Sequence, residues 1–236
     1  SDEALALLKD MRRRTVQPDL IVLNSAISAC EKCQEWGSVL GLLEGMNQEN
    51  IVQDVITFNA VNSACEKGMQ WAFALGSFRA MRLKGIAPDR ITLNSAISAC
   101  AKCGEWEQAF ALFEAMPHLA VAADVITYNA VLNGCCRGCS WEKAMVVFEE
   151  AKQRGLPIDR VTYSAVIKAC DACGQWQQVL ALAADMRQRR IPPDSRIDLM
   201  VSNACRAGGQ RDLEQASLEE TQRRGVADLL SQGRAS

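Results

Sequence analysis

Apolar and polar residues along this chain follow a helical spacing, broken at short intervals. Ile56, Phe58, Val61 and Cys65 form one stripe, and Trp106, Ala109, Phe110, Phe113 and Met116 another. A three-and-four spacing of this kind turns one face of a helix inward. The stripes come in pairs. A short turn follows the first of a pair, often carrying glycine (Gly68, Gly104, Gly138, Gly174). The second opens near a tryptophan and closes at Gly85, Gly155 or Asn50, residues that tolerate the left-handed backbone of a helix C-cap. Pro88 and Pro193 block continuation there, and an aspartate follows that can cap the next helix. The pattern predicts pairs of short antiparallel helices with tight connections.

The pairs are copies of one another. Leu23-Asn24-Ser25-Ala26-Ile27-Ser28-Ala29-Cys30 recurs verbatim as Leu93 to Cys100, 70 residues later, with related octets starting at Phe58, Tyr128 and Tyr163. The period is 35 residues without slippage through five copies, which start at Leu20, Val55, Arg90, Val125 and Arg160. A single hairpin of this length cannot bury its apolar face, whereas stacked hairpins share a continuous core. The expected fold is therefore all-α, an α-solenoid superhelix of antiparallel helical hairpins. Residues 1–19 match only the second half of a repeat, with Ala4, Met11, Pro18 and Asp19 in register, so a longer parent array is expected. Residues 20–194 hold the five full repeats, and 195–236 read as a degenerate capping repeat and tail. Cys205 keeps the phase there, but Leu199 stands where a polar residue is usual.

Composition narrows the options modestly. Hydrophobic residues make up 49% and charged residues 23% of the 236, ordinary values for a foldable chain. No apolar run approaches the roughly 20 residues that span a bilayer, so no membrane role is expected. A net charge of −2 and a pI near 5.6 count against a nucleic-acid partner unless the basic residues gather on one face.

Candidate chemistry is sparse. Cys30/Cys33, Cys100/Cys103, Cys136/Cys139 and Cys170/Cys173 have the two-residue spacing used by zinc sites. The repeat supplies a different reading. Cys30, Cys65, Cys100, Cys135, Cys170 and Cys205 share one slot, where a small apolar side chain packs between helices. Neighbouring hairpins also lie on the order of 10 Å apart, too far for two pairs to share an ion. So many free thiols point to a reducing compartment. Trp36, Trp71, Trp106, Trp141 and Trp176 occupy one slot at the opening of the second helix, a packing position or an aromatic ladder. His118 has no second histidine or carboxylate cluster in phase, and no His-x-Glu deaminase pattern or Gly-rich phosphate loop is present. No catalytic residue, metal ligand or cofactor is expected.

Val125-Ile126-Thr127-Tyr128-Asn129 at a repeat start and Gly85-Ile86-Ala87-Pro88-Asp89 at a repeat end, five times in a 35-residue register, resemble the pentatricopeptide repeat family. The likeness covers residues 1 to about 206, and the uniform length is similar to the family's plain class. That resemblance implies single-stranded RNA bound along a concave surface, one base per repeat. It implies work in mitochondria or chloroplasts on RNA processing, stability or translation. The family reads a base with the fifth and last slots, here Asn24 with Asp54, Asn59 with Asp89, Asn94 with Asp124, Asn129 with Asp159, and Ser164 with Asp194. By resemblance, Asn with Asp favours uridine and Ser with Asp guanosine, giving a UUUUG-like, U-rich target. The second slot, which sandwiches bases in the family, holds Ile21, Ile56, Ile91, Ile126 and Val161. The thirteenth, which contacts phosphate there, holds Lys32, Lys67, Lys102 and Arg137, with Ala172 in the fifth copy.

Other readings stay open at this level. The aspartates serve equally as plain helix N-caps, with the asparagines on a wet face. A solenoid of tetratricopeptide type would hold peptides, although that family runs at 34 residues and needs no row of cations. A scaffold segment of a larger organellar enzyme, with protein partners reached through other parts of a parent chain, is a third.

Overall fold

The computed structural model describes residues 2–209, the side chain of Arg12 excepted. The described residues hold twelve α-helices and no strand: α1 Asp2–Arg13, α2 Leu20–Lys32, α3 Trp36–Gln48, α4 Val55–Lys67, α5 Trp71–Leu83, α6 Arg90–Cys103, α7 Trp106–Ala115, α8 Val125–Arg137, α9 Trp141–Gln153, α10 Arg160–Ala172, α11 Trp176–Gln188 and α12 Ser195–Ala207. The fold is the all-α stack of helical hairpins that the period predicts. In α12, which opens the stretch expected to be a degenerate capping repeat, Cys205 is buried. The expected second helix of that stretch and the tail fall in 210–236, outside the described residues.

Helix boundaries follow local chemistry. Asp19, Asp54, Asp89, Asp159 and Asp194 sit in extended backbone, and each carboxylate accepts the N–H of the third helical residue at 2.8–2.9 Å. Asp124 does the same for Thr127 at 3.0 Å. Each such cap stabilises its helix by ~1 kcal/mol. Every second helix except α1 starts on a tryptophan. Pro117 ends α7 early and opens a 3-10 turn, Pro117–Leu119, because proline has no N–H for the helical ladder.

The residues up to Gly134 form one compact unit and those from Cys135 another. In the first unit α2 packs on α3 and α4, α4 on α5 and α6, and α6 on α7. Recurrent slots fill that core. Leu23, Phe58 and Leu93, then Cys30, Cys65 and Cys100, then Met46, Met81 and Met116 are each at most 1% exposed. Burying one side chain of Leu, Phe or Met size contributes ~1.5–3 kcal/mol, repeated at every copy. In the second unit α10 lies against α9, α11 and α12, with Tyr163, Ile167, Cys170, Val179 and Met186 buried. Asn62 breaks the pattern. It occupies the slot of Ile27 and Ile97, is 0% exposed, and neither polar atom of its amide has a hydrogen-bond partner.

The turn glycines divide into two roles. The left-handed residue of the first turn lies one position after Gly68, at Met69 (φ 54°), and the same slot holds Gln34, Gly104, Cys139 and Gly174. Gly68 has φ −81°, so conformational freedom is not why glycine is there. A Cβ at Gly68 would lie 2.5 Å from Cδ1 of Trp36, and one at Gly208 2.6 Å from Trp176. Trp36 also meets Phe73 of the next repeat, ring centroids 6.0 Å apart. These half-buried tryptophans pack between repeats. The slot cysteines are core side chains: burial pushes Cys65 and Cys135 up to about 11 and Cys100 and Cys170 to about 12, which suppresses the reactive thiolate.

Candidate nucleic-acid interface

The capping aspartates carry more than a cap. At three junctions of the first unit, the fifth-slot asparagine of one repeat reaches the aspartate that closes the same repeat. The Nδ2 of Asn24 donates to Asp54 at 3.2 Å, that of Asn59 to Asp89 at 3.0 Å, and that of Asn94 to Asp124 at 3.3 Å. Opposite the aspartate stands a residue that sequence reasoning overlooked, the threonine in the third slot of the next helix. The hydroxyl of Thr57 lies 2.7 Å from Oδ1 of Asn24, that of Thr92 2.5 Å from Asn59, and that of Thr127 2.6 Å from Asn94. All three threonines are fully buried. Their recurrence at Thr57, Thr92, Thr127 and Thr162 was the available signal, but a threonine near a helix start reads first as a capping-box residue, which Thr57 and Thr92 also are.

The network acts on the carboxylates. Burial alone pulls Asp54, Asp89 and Asp124 upward, yet the hydrogen bonds from the threonine N–H and from the asparagine amide outweigh it. All three lie below the ordinary carboxylate value. They are therefore ionised and acceptor-only at neutral pH, which forces each asparagine to turn its NH₂ toward them. Asp124 also pairs with Nε of Arg90 at 3.2 Å.

Beside each pair, the second-slot residue points to solvent. Ile21, Ile56, Ile91, Ile126 and Val161 are 74, 65, 60, 66 and 55% exposed. Side chains of this type are usually buried. At the first junction these parts meet in one open groove of ≈ 600 Å³, lined by Ile21, Asn24, Ser28, Lys32, Asp54 and Ile56.

The thirteenth-slot cations are exposed but not all are bare. Lys67 pairs with Glu31 at 2.8 Å and Lys102 with Glu66 at 3.0 Å. Ser63 and Ser98 donate to the same two glutamates at 2.7 Å. Burial raises Glu31, but the bonds from Lys67 and Ser63 prevail and hold it below its usual value. The row is thus a series of cross-repeat ion pairs at these two positions, which tempers the cationic stripe read from the sequence. Arg137 and Lys32 are exposed as expected, and Ala172 leaves the fifth copy without a cation.

In the second unit, Ser164 is half-buried beside α12, whose N-cap is Asp194. The third slot there is Ile197, which has no hydroxyl. Asn129, which belongs to the first unit, is half-buried and its Oδ1 has no hydrogen-bond partner. His118 is exposed in the 3-10 turn.

A helical-hairpin repeat protein with an asparagine–aspartate pair at three successive junctions is the class these features define. The PPR repeat family model matches residues 88–137 and 123–172, and the pentatricopeptide repeat domain model residues 6–68 and 41–103. Together they cover 6–172, well over half of the chain. The chain belongs to the pentatricopeptide repeat family, and the tetratricopeptide alternative is set aside. No curated protein matches the sequence. Among solved structures, the pentatricopeptide repeat protein PPR10 from maize is 24% identical with a TM-score of 0.69, over 95% of this chain and 32% of that one. PPR10 in complex with an 18-nt psaJ RNA element is 19% identical, TM-score 0.63, over 95% of this chain and 38% of that one. The PPR domain of Arabidopsis thaliana protein-only RNase P 1 in complex with tRNA is 15% identical, TM-score 0.70, over 79% of this chain and 98% of that domain. At these identities the likeness is one of fold, and this chain spans about a third of the length of PPR10.

Proposed function

We propose that this chain binds single-stranded RNA, each repeat holding one base between successive second-slot side chains and reading it with the fifth-slot and last-slot pair. The observation that carries the reading is the groove at the first junction, where exposed Ile21 and Ile56 flank Asn24 and Asp54. Apolar walls on either side of a donor–acceptor edge suit a flat, polar-edged base, because single-stranded bases are held by stacking on side chains and hydrogen bonds to their edges. With NH₂ held by the aspartate, each asparagine has one remaining N–H and one free lone pair of Oδ1 to offer. That pair of groups suits the edge of a pyrimidine. Copies one to four then favour uridine and the fifth, with Ser164 and Asp194, guanosine, for a core of UUUUG. Solved relatives that hold an RNA element and a tRNA support an RNA partner. The finer role follows the family: RNA processing, stability or translation in a mitochondrion or chloroplast, without catalysis by these repeats.

The test is a change of letter. Asn94→Ser gives the third repeat the fifth-slot residue of the fifth, so preference at the third nucleotide should move from U toward G. Edge-reading contacts discriminate by ~1–3 kcal/mol, so the affinity ratio of UUUUG to UUGUG should shift tenfold or more at one salt concentration. If wild type and variant rank the two RNAs alike while circular dichroism shows both folded, one-base-per-repeat reading is wrong for this chain.

A further inference from the structure

We infer that the third-slot threonine of the following repeat is a specificity-determining residue, a second clamp that fixes the asparagine amide for base reading. The inference rests on the base-reading proposal and adds a component to it. At three successive junctions the amide is gripped at both ends. Nδ2 faces the carboxylate at 3.0–3.3 Å, and Oδ1 faces the threonine hydroxyl at 2.5–2.7 Å. The hydroxyl has one proton and two acceptors within reach, since the aspartate Oδ1 lies 2.8–3.0 Å away. The asparagine oxygen is nearer in every case. The aspartate oxygen is also already satisfied by the threonine N–H at 2.8–3.0 Å.

A carboxylate alone sets which end of the amide faces it but leaves the amide free to pivot about that single contact. The threonine removes the pivot, so the remaining N–H and lone pair point in fixed directions. Discrimination between bases depends on those directions, whereas total binding also draws on stacking and phosphate contacts. The hydroxyl therefore governs selectivity more than affinity. The helix does not need it as a cap: the first repeat has Val22 in this slot, and Asp19 still accepts the Val22 N–H at 2.9 Å. Valine is thus a tolerated, nearly isosteric replacement.

The experiment compares UUUUG with UGUUG, which differ at the nucleotide assigned to Asn59, Asp89 and Thr92. Thr92→Val should lower the wild-type preference for U by about threefold to tenfold, the range commanded by one net hydrogen bond, with the Kd for UUUUG changed less than that ratio. Thr92→Ser keeps the hydroxyl and should retain the preference. In an Asn59→Ala background, Thr92→Val should have no further effect on it. Equal weakening toward both RNAs, or an unchanged preference in Thr92→Val, overturns the clamp. If Asn59→Ala still lowers the preference in that case, base reading survives without the clamp. If Asn59→Ala leaves it unchanged too, base reading itself has failed. Should Thr92→Val not fold, Thr127→Val read at the third nucleotide decides the matter in the same way.

Discussion

The junction at Asp89 and the junction at Asp194 share a cap and differ in everything built on it. Both aspartates sit in extended backbone and accept the N–H three residues on. Asp89 also holds Asn59, and Thr92 closes the far side of that amide. At Asp194 the corresponding positions are Ser164 and Ile197, with Ala172 in the cation slot. Capping a helix therefore does not require the asparagine or the threonine hydroxyl. The open question of whether the aspartates are plain caps has a divided answer: all six are caps, and Asp54, Asp89 and Asp124 also orient an amide. Polar groups that a fold can do without, repeated at one spacing, are the ones to assign to recognition.

The largest effect that can break this comparison is on stability. Asp89→Ala removes a cap and strands Asn59 and Thr92, so it should cost ~2–3 kcal/mol, against ~1 kcal/mol for Asp194→Ala, which loses a cap alone. Chemical denaturation monitored by circular dichroism measures both, and equal costs would mean that the Asn–Asp–Thr contacts add nothing.

Asn62 offers the opposite sign. Its amide is buried without a partner where neighbouring copies have isoleucine, so Asn62→Ile should stabilise the first unit by ~1–2 kcal/mol. RNA preference should stay put, since the residue is fully buried away from the groove. A variant that gains stability but loses selectivity would tie the core to recognition more tightly than the junctions imply.

Acid should act on the amide-holding junctions as well. The native carboxyls of Asp54, Asp89 and Asp124 lie below the ordinary value of 3.8, so the folded state binds fewer protons than the unfolded chain. Their contribution is complete above that ordinary value and is lost as the pH falls through the lower native one. Replacing all three by asparagine should flatten the dependence of stability on pH in that acid window and leave it unchanged between pH 6 and 8. A curve that keeps its acid slope would assign it to other groups.

The smallest effect concerns charge. Glu31→Gln keeps an acceptor for Ser63 but releases Lys67 from its ion pair. Exposed pairs are worth ~0–1 kcal/mol, so folding should barely change. RNA affinity at low salt should rise, and the slope of log K against log salt should steepen by up to ~0.7, the value of one added phosphate contact on a single strand. No change in slope would take Lys67 out of the phosphate row.

The sequence by itself determined the period, the helix boundaries, the core slots and the capping role of the aspartates. Those depend on local chemistry: apolar spacing, proline without an N–H, and a carboxylate one residue before a helix. It also supplied the row Ile21, Ile56, Ile91, Ile126 and Val161 by resemblance, and their exposure agrees with an outward-facing role. Only the tertiary structure decided who meets whom across repeats. Thr57 reaches Asn24 over a separation of 33 residues, and Lys67 reaches Glu31 over 36. These offsets depend on the stagger and tilt with which one hairpin lies on the next, set by the bulk of side chains such as Trp36 over Gly68. A one-dimensional pattern repeats every residue at the same 35-residue interval, but side chains join across the interval at whatever offset packing brings within 3 Å.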